Sequence, residues 1–312
     1  MTKIFIDGQV GTTGLQIFEM LKKRDDIDVL AIPENKRKNP EFRKELITMS
    51  EISILCLPDE AAREAVSLNA GESRIIDAST AHRTNDDWIY GLPEMGQKQK
   101  KAIEEAKLLS NPGCYPQGFI LLIKPLIEEG LLDPESNLFC SAVSGYSGGG
   151  RQMIETFETH NEKNADKLAV QDYGLTLTHK HVPEMQKYSG LSKAPIFLPS
   201  VANYYKGMIV RVPIAIEMLN QCSVDKVVSC LKERYENNQF IRMYDYNDQD
   251  ALEDSRLNPI ACNDTNFMDL MIFGNAQQIV LLARYDNLGK GAAGAAIQNL
   301  NLMLGLEEET GL

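Results

Sequence analysis

Residues 3–14 read KIFIDGQVGTTG, in which a short apolar stretch runs directly into a glycine-rich segment. After the last glycine, Leu15, Phe18 and Leu21 keep the spacing of one helix face. The stretch therefore predicts a strand, a tight turn and a helix in immediate succession. Such a junction suits a dinucleotide pyrophosphate, because glycines let backbone N–H groups and the helix N-terminus approach the phosphates.

The glycines of this turn are Gly8, Gly11 and Gly14. The usual dinucleotide fingerprint has one residue between its first two glycines, so this spacing differs from it while the physical principle is shared. Two threonine hydroxyls add hydrogen-bond donors. We expect a dinucleotide cofactor to contact Gly8, Gly11, Thr12, Thr13 and Gly14. The alternative is a tight turn that needs glycines for its backbone geometry and binds no ligand.

The alternation of strand and helix continues to about residue 110. The expected strands are residues 27–32, 52–57, 74–79 and 108–110, and the helices between them are residues 40–49, 59–69 and 97–107. Strands that alternate with helices in this way form a parallel sheet. We therefore predict an α/β protein whose first domain, residues 1–114, is Rossmann-like with a parallel sheet.

A different pattern follows this domain. Residues 206–216 alternate in hydrophobicity, and residues 268–273 can pair with residues 278–283 across Gly274-Asn275, which predicts antiparallel strands. Together with a helix expected at residues 223–237, these strands predict an α+β domain with a mixed sheet.

Two domains are also what 312 residues predict at about 150 residues per domain. The second domain is expected to span residues 115–285 and to serve catalysis and dimerisation. A helix rich in small residues, 289–304, lies in the C-terminal segment 286–312, which we expect to pack back on the first domain.

The charge balance argues against two classes of partner. The chain has 32 Lys+Arg against 44 Asp+Glu, a net charge of −12, and so lacks the general basic surface that nucleic acids or anionic membranes require. Its six cysteines form no CxxC pair, and the N-terminus has no signal-peptide pattern. We expect a cytoplasmic protein with reduced thiols.

The residues after the second strand bear on the choice of cofactor. Glu34 stands where NAD enzymes place an acidic residue against the ribose, but Lys36, Arg37 and Lys38 follow it. Guanidinium and ammonium groups pair with a 2′-phosphate, which a carboxylate repels. We expect NADP, with Arg37 at the phosphate. A solvated run of charges is the alternative.

Cys114 stands out among the six cysteines. It follows a strand and precedes the helix expected at residues 119–129. A helix N-terminus with a nearby imidazolium lowers the pKa of a thiol and makes it a nucleophile at neutral pH. The other five cysteines lie in apolar strands, helices or loops without this setting, and we interpret them as core or surface thiols.

A cysteine nucleophile needs a base, and the sequence offers few. His179 and His181, in the stretch 178–184, are the candidates. A metal site is not expected, because no third and fourth ligand can be placed with them. His82 is open to either a cofactor role or a packing role.

Seven motifs, in order along the chain, carry a family resemblance. They are residues 8–14, 77–83 (DASTAHR), 90–94 (YGLPE), 111–115 (NPGCY), 143–151 (VSGYSGGGR), 179–184 (HKHVPE) and 286–294 (DNLGKGAAG). With these motifs the chain resembles the N-acetyl-γ-glutamyl-phosphate reductase family, in its shorter type, within the wider semialdehyde dehydrogenase group. It departs at Gln117, where many relatives carry a small hydroxyl residue.

The resemblance implies NADPH-dependent reduction of an N-acetylglutamyl 5-phosphate to its semialdehyde, a step of arginine synthesis. Cys114 is expected to attack the acyl phosphate and form a thioester, with His181 as acid/base. Further roles follow from motif positions. The expected substrate contacts are Arg83, Asn111, His179, Ser144 and Gly145, and the further cofactor contacts are Ser79 and Asn287.

Other functions remain open on the sequence. Aspartate-semialdehyde dehydrogenase and the aminoadipyl analogue of lysine synthesis share the thioester chemistry. A regulatory NADP-binding protein without catalysis is a different class, which the presence of both Cys114 and His181 disfavours. A cysteine hydrolase is disfavoured by the dinucleotide loop. We expect a small-molecule substrate and a homodimer or homotetramer.

Overall fold

Two units make up the chain in the computed structural model, which describes residues 1–69, 71, 73–164, 168–220 and 222–312. The first unit comprises Met1–Pro93, Gln97–Pro112 and Ala292–Leu312, and the second comprises Glu94–Gly96 and Gly113–Gly291. Residues 286–291, expected with the first domain, thus belong to the second unit.

The first unit contains a six-stranded sheet in which every strand pair is parallel. Its strands are β1 (Thr2–Asp7), β2 (Ile27–Leu30), β3 (Ile52–Leu55), β4 (Arg74–Asp77), β5 (Ile89–Tyr90) and β6 (Leu108–Ser110). Its first four helices are α1 (Thr12–Leu21), α2 (Pro40–Met49), α3 (Asp59–Leu68) and α4 (Gln97–Glu105). Local sequence explains α2, because Asn39 accepts the Phe42 N–H at 3.2 Å as N-cap and Pro40 occupies the first helical position.

The strand order β2-β1-β3-β4-β6-β5 places the switch of chain direction at β1 and β3. From β1 the chain first adds β2 on one side and then returns to add β3 on the other. In open parallel sheets, ligands bind outside the carboxyl ends of the strands at this point. The glycine-rich turn begins there, directly after β1.

The second unit contains a seven-stranded mixed sheet of order β11-β12-β13-β10-β7-β9-β8. Its strands are β7 (Phe139–Gly145), β8 (Val170–Asp172), β9 (Ile196–Ala202), β10 (Met208–Ala215), β11 (Ile241–Tyr246), β12 (Met268–Gly274) and β13 (Gln278–Tyr285). The antiparallel pair β12–β13 confirms the predicted hairpin. The pairs β7–β9 and β11–β12 are parallel, a feature that the alternation pattern did not predict.

The helices of the second unit are α5 (Cys114–Glu128), α6 (Gly150–Asn164), α7 (Val182–Ser189) and α8 (Val224–Tyr235). The expected start of α5 at Phe119 was wrong by more than one turn. Pro116 lies in the first turn, where a missing N–H costs nothing, so it does not delay the helix. Pro125 leaves the Leu121 carbonyl without its helical donor, and the Tyr235 hydroxyl donates to that carbonyl at 2.6 Å.

The last helix, α9 (Gly294–Met303), belongs to the first unit, where it packs against α1 and α4. The expected helix 289–304 is not uniform, because Gly289–Ala293 forms a π-helical turn before α9. Ala296, Ile297 and Leu300 of α9 share a core with Ile4 and Ile54 of the sheet.

Candidate active site

In the turn between β1 and α1, two of the three glycines are required by close contacts within the protein. A Cβ at Gly8, whose φ is +92°, would lie 2.2 Å from the Cys56 carbonyl oxygen, and one at Gly14 would lie 2.4 Å from the Gly8 carbonyl oxygen. A Cβ at Gly11 would meet nothing closer than 3.4 Å. These are the roles of tight turn, close packing and open approach that dinucleotide-binding glycines fill.

The start of α1 also suits an anion. Its N-cap, Gly11, supplies no side-chain cap, and its first turn has no acidic residue. Thr12 and Thr13 are partly exposed in that turn. A helix N-terminus without a capping side chain presents N–H groups and a positive dipole end to phosphate. The residues present therefore fit a dinucleotide.

A buried ion pair supports this turn and was missed by the sequence analysis. Asp7, the last residue of β1, accepts a hydrogen bond from Arg43 Nε at 2.8 Å, and Arg43 also pairs with Glu64 at 3.0 Å. Burial raises the pKa of Asp7, and the Arg43 guanidinium opposes that rise. The pair connects the residue before Gly8 to α2.

The basic trio after β2 lies around a short 3₁₀ turn. Lys36 and Lys38 are exposed, and the Arg37 guanidinium pairs with Glu34 at 3.6 Å. Arg37 Nε has no hydrogen-bond partner among the residues that the structure describes. Glu34, the acidic residue of this segment, is therefore paired with Arg37, one of the three basic residues.

Asp77, at the carboxyl end of β4, is the acceptor for the motif that follows it. Its carboxylate accepts from the Ser79 N–H at 2.9 Å, the Ser79 hydroxyl at 2.7 Å and His82 Nδ1 at 2.7 Å. The His82 ring stacks on Trp88 with centroids 4.1 Å apart. The structure thus gives His82 a packing role, and the Ser79 hydroxyl proton is engaged by Asp77.

Arg83 and Asn111 lie together beyond the end of β6. Arg83 donates to the Asn111 carbonyl at 2.9 Å and to the Ala78 carbonyl at 3.0 Å. The Asn111 side chain donates to the Ala292 carbonyl at 3.1 Å and accepts from Asn299 Nδ2 at 3.1 Å. Both residues are buried, and these bonds hold Arg83 against the segment that leads to Cys114.

Cys114 is the first residue of α5, as the nucleophile hypothesis requires. Gly113, its N-cap, donates its N–H to Glu184 Oε2 at 3.0 Å. Glu184 lies in the first turn of α7, so the bond joins the N-terminal ends of the two helices. A Cβ at Gly291 would lie 3.1 Å from Cys114 Cβ, so a glycine there leaves room beside the thiol. No local pattern in the sequence indicates this role of Glu184.

The two candidate histidines stand at the start of α7, of which His181 is the N-cap. His179 Nδ1 accepts the His181 N–H at 3.2 Å, and the two rings are 4.7 Å apart. Burial and the nearby Lys180 lower the pKa of His179 to about 4. His179 is therefore neutral near pH 7, and since Nδ1 accepts, its proton lies on Nε2.

Three hydroxyl groups, those of Tyr115, Ser144 and Tyr173, cluster beside the two histidines. The Tyr115 hydroxyl lies 2.7 Å from Ser144 Oγ and accepts from the Tyr173 hydroxyl at 3.1 Å. Burial raises the pKa of Tyr115, and it raises the pKa of Tyr173 to about 12. The Tyr115 ring is 5.8 Å from His181. Ser144, expected at the substrate, is thus in the same cluster as the histidine.

The loop after β7 is held by Asn287. Asn287 accepts the Gly207 N–H at 2.7 Å and donates to Ser147 Oγ at 3.1 Å. A Cβ at Gly145 would lie 2.6 Å from the Tyr205 carbonyl, so this glycine permits close backbone packing. Asn287 and Gly145 therefore hold the loop in place, and the cofactor contact of Asn287 stays a prediction.

Gln117, the departure from the family pattern, is fully buried one turn after Cys114. Neither its side-chain oxygen nor its nitrogen has a hydrogen-bond partner among the described residues.

Over the part of the chain that the structure describes, no cluster of three His, Cys, Asp or Glu residues is arranged to hold a metal. In none of its helices is a stretch both long and apolar enough to cross a membrane.

Comparisons with known proteins identify both halves of the chain. Residues 3–103 match the family described as semialdehyde dehydrogenase, NAD binding domain. Residues 114–287 match the family described as semialdehyde dehydrogenase, dimerisation domain.

Solved structures confirm the predicted fold class. An aspartate semialdehyde dehydrogenase II from Vibrio cholerae, complexed with ASA, has a TM-score of 0.74 at 17% identity and covers 98% of both chains. An aspartate semialdehyde dehydrogenase with NADP from Candida albicans has a TM-score of 0.67 at 14% identity, over 97% of this chain and 98% of that one.

Curated relatives are much more similar in sequence. N-acetyl-gamma-glutamyl-phosphate reductase 2 of Nostoc sp. is 45% identical over 320 residues, 99% of each chain. The N-acetyl-gamma-glutamyl-phosphate reductase of Brucella ovis is 46% identical over 310 residues, 97% of this chain and 99% of the other. The chain therefore belongs to the N-acetyl-gamma-glutamyl-phosphate reductase family, within the semialdehyde dehydrogenase group.

Proposed function

We propose that this protein reduces N-acetyl-L-glutamyl 5-phosphate to N-acetyl-L-glutamate 5-semialdehyde with NADPH, releasing phosphate, in arginine biosynthesis. The observation that carries the proposal is the placement of Cys114 and His181 at the paired N-terminal ends of α5 and α7. The relatives at 45% and 46% identity bear the name of this activity.

Cys114 acts as the nucleophile. Its thiolate attacks the acyl carbon, and the carbon–oxygen bond to phosphate breaks. Inorganic phosphate departs, and the acyl group remains on the sulfur as a thioester. A bound nicotinamide supplies the hydride that reduces this thioester. The resulting thiohemiacetal collapses when its hydroxyl proton is removed, and the aldehyde and the Cys114 thiolate separate. N–H groups at the helix start stabilise the oxyanions, an effect worth about 3 kcal/mol per donor.

The histidines divide the remaining work. His181 accepts the proton of the thiol, gives it to the thiohemiacetal oxygen when the hydride is added, and takes it back as the thiohemiacetal collapses, as a general acid/base must. His179 is neutral because burial and Lys180 lower its pKa to about 4, so it donates a hydrogen bond from Nε2 to the substrate without carrying charge. Ser144 and Gly145 bind the acyl chain beside them, and Arg83 with Asn111 binds the leaving phosphate.

NADPH is the proposed cofactor. Gly8, Gly11 and Gly14 hold its pyrophosphate at the start of α1, and Thr12 and Thr13 add hydroxyl donors. Arg37 binds the 2′-phosphate, since its side chain is partly exposed and its guanidinium pairs with Glu34 at the long distance of 3.6 Å. Ser79 and Asn287 are the further proposed contacts, which rest on the family resemblance.

The assembly and the location are further proposals. A family match described as a dimerisation domain covers residues 114–287, which supports a homodimer or a homotetramer built from it. A cytoplasmic enzyme is the proposal that the cysteine pattern supports, because the six cysteines form no CxxC pair.

The test is the reverse reaction, measured as phosphate-dependent NADP⁺ reduction by N-acetylglutamate semialdehyde. Cys114→Ala is expected to abolish it while NADPH affinity stays within about three-fold, because the thiol reacts and does not bind the cofactor. Cys230→Ala is the control. It is expected to keep the rate, because burial raises the pKa of the Cys230 thiol to about 11. A preference for aspartate semialdehyde, or activity in Cys114→Ala, would refute the proposal.

A further inference from the structure

The first turn of α5 contains a side chain from a distant strand. The Tyr285 hydroxyl, at the end of β13, accepts the Gly118 N–H at 3.1 Å and donates to the Cys114 carbonyl at 2.5 Å. These two backbone groups are the donor and the acceptor of the i to i+4 pair that begins at Cys114, the first residue of the helix. The phenol thus bridges the turn that holds the nucleophile.

The neighbouring residues are shaped around this phenol. A Cβ at Gly118 would lie 2.9 Å from the Tyr285 hydroxyl and 2.9 Å from Ala283 Cβ, so only glycine leaves the ring its place. Tyr285 is fully buried, and burial raises the pKa of its hydroxyl. The phenol therefore stays protonated and keeps donating to the Cys114 carbonyl.

A bridge at this point controls where the thiol points. Side chains that enter the i to i+4 ladder locally bend or widen a helix. Without the hydroxyl, the Gly118 N–H and the Cys114 carbonyl both lose the group that links them to β13, and the backbone of the turn is free to shift. Such a change rotates the first residue of the helix, which is Cys114 itself.

We infer that Tyr285 is a positioning residue, whose hydroxyl sets the first turn of α5 and so aligns the Cys114 thiol for attack. The inference rests on the proposed function for its catalytic consequence, but the alignment itself is independent of any substrate. Tyr285 lies one residue before the motif 286–294, and no local pattern in the sequence indicates its role.

The same helix supplies a matched control. The Tyr235 hydroxyl donates to the Leu121 carbonyl of α5 at 2.6 Å, in a buried setting, two turns from Cys114. Tyr235→Phe and Tyr285→Phe each remove one buried phenol hydroxyl that bonds the α5 backbone. Only the second removes it from the turn of the nucleophile.

The experiment compares both variants with the parent protein by iodoacetamide alkylation of Cys114 at pH 8, read by peptide mass, and by steady-state kinetics. For Tyr285→Phe we expect alkylation about 5- to 30-fold slower, because the thiol loses its alignment with the helix N-terminus. We expect kcat about 10- to 100-fold lower with KM values within about three-fold, as a misplaced nucleophile produces. Tyr235→Phe is expected to leave the alkylation rate and kcat within about two-fold.

Folding is checked by circular dichroism and thermal melts. If Tyr285→Phe fails to fold, Gly118→Ala is used instead, because its methyl group displaces the retained hydroxyl, and the same slowing is expected. Equal alkylation rates in the two phenylalanine variants would overturn the inference, whether or not kcat falls. A parent protein that alkylates rapidly but reduces no acyl phosphate would refute the proposed function, while the alkylation comparison would still decide the role of Tyr285.

Discussion

Glu184 offers a direct test of how α7 holds the nucleophile helix. Its carboxylate accepts the Gly113 N–H at 3.0 Å, immediately before Cys114, and both groups are buried. Two substitutions separate the bond from the charge. Glu184→Gln keeps an oxygen that can accept this N–H, whereas Glu184→Ala removes the acceptor.

The expected magnitudes follow from this geometry. A hydrogen bond to a charged group contributes about 1.5–3 kcal/mol and a neutral one about 0.5–1.5 kcal/mol, so Glu184→Gln should lower the free energy of unfolding by about 1 kcal/mol. Glu184→Ala leaves the Gly113 N–H without an acceptor, which costs about 1–3 kcal/mol, and it also removes one buried methylene group at about 0.8 kcal/mol. Its expected loss is about 2–4 kcal/mol.

Turnover should follow the position of Cys114 more than the stability. We expect Glu184→Gln to keep kcat within about ten-fold and Glu184→Ala to lose about 100-fold, because a displacement of 1 Å at a reacting group has an effect of that size. Urea unfolding and steady-state kinetics measure the two quantities. Lys187→Ala, at an exposed position of α7, is the control and should change stability by less than about 0.5 kcal/mol. Equal losses in the Gln and Ala variants would refute the reasoning, because the acceptor oxygen would then be irrelevant.

Arg37→Ala should raise KM for NADPH by about 10- to 100-fold, because one charge-assisted hydrogen bond is lost, and should leave KM for NADH within about two-fold. Steady-state kinetics with each cofactor measure both values. Equal changes for the two cofactors would show that Arg37 belongs to a solvated surface. His181→Asn should lower kcat by about 10²–10⁴-fold, whereas His179→Asn should act mainly on substrate KM. The reverse pattern in the same assay would make His179 the acid/base. The pKa of His179 is about 4 in the folded protein and about 6.5 when unfolded, so the unfolded chain takes up the proton first and stability falls as pH drops from about 6.5 to 4. His179→Asn should reduce that fall in urea midpoints measured between pH 7 and 4.5, and an unchanged fall would assign it to other groups.

Local pattern was sufficient for much of the fold. Helix α2 occupies residues 40–49, as predicted, because Asn39 and Pro40 mark its start in the sequence itself. Strand β6 at 108–110 and the hairpin of β12 and β13 were likewise predicted, since hydrophobic period and turn residues are local signals. The expected start of α5 at residue 119 was five residues too late, since the helix begins at Cys114 with Pro116 in its first turn, where proline is tolerated.

Pairings between distant strands were beyond the reach of the sequence. The parallel neighbours β7 and β9 are separated by about 50 residues that contain α6, β8 and α7, and nothing in either strand names its partner. Their register depends on which faces are buried in the finished unit, a property that appears only when all layers are packed.

The candidate site divides in the same way. The sequence by itself determined the kind of chemistry, because Gly8 to Gly14, Cys114 and the paired histidines are residue types with few alternative uses in those positions. The tertiary structure alone decided how these residues are held. Glu184 on the Gly113 N–H and the Tyr285 hydroxyl in the first turn of α5 come from segments 71 and 171 residues away from their partners. Such contacts leave no local signal, because the side chains that make them are selected by the shape of the folded site and not by their neighbours in the chain.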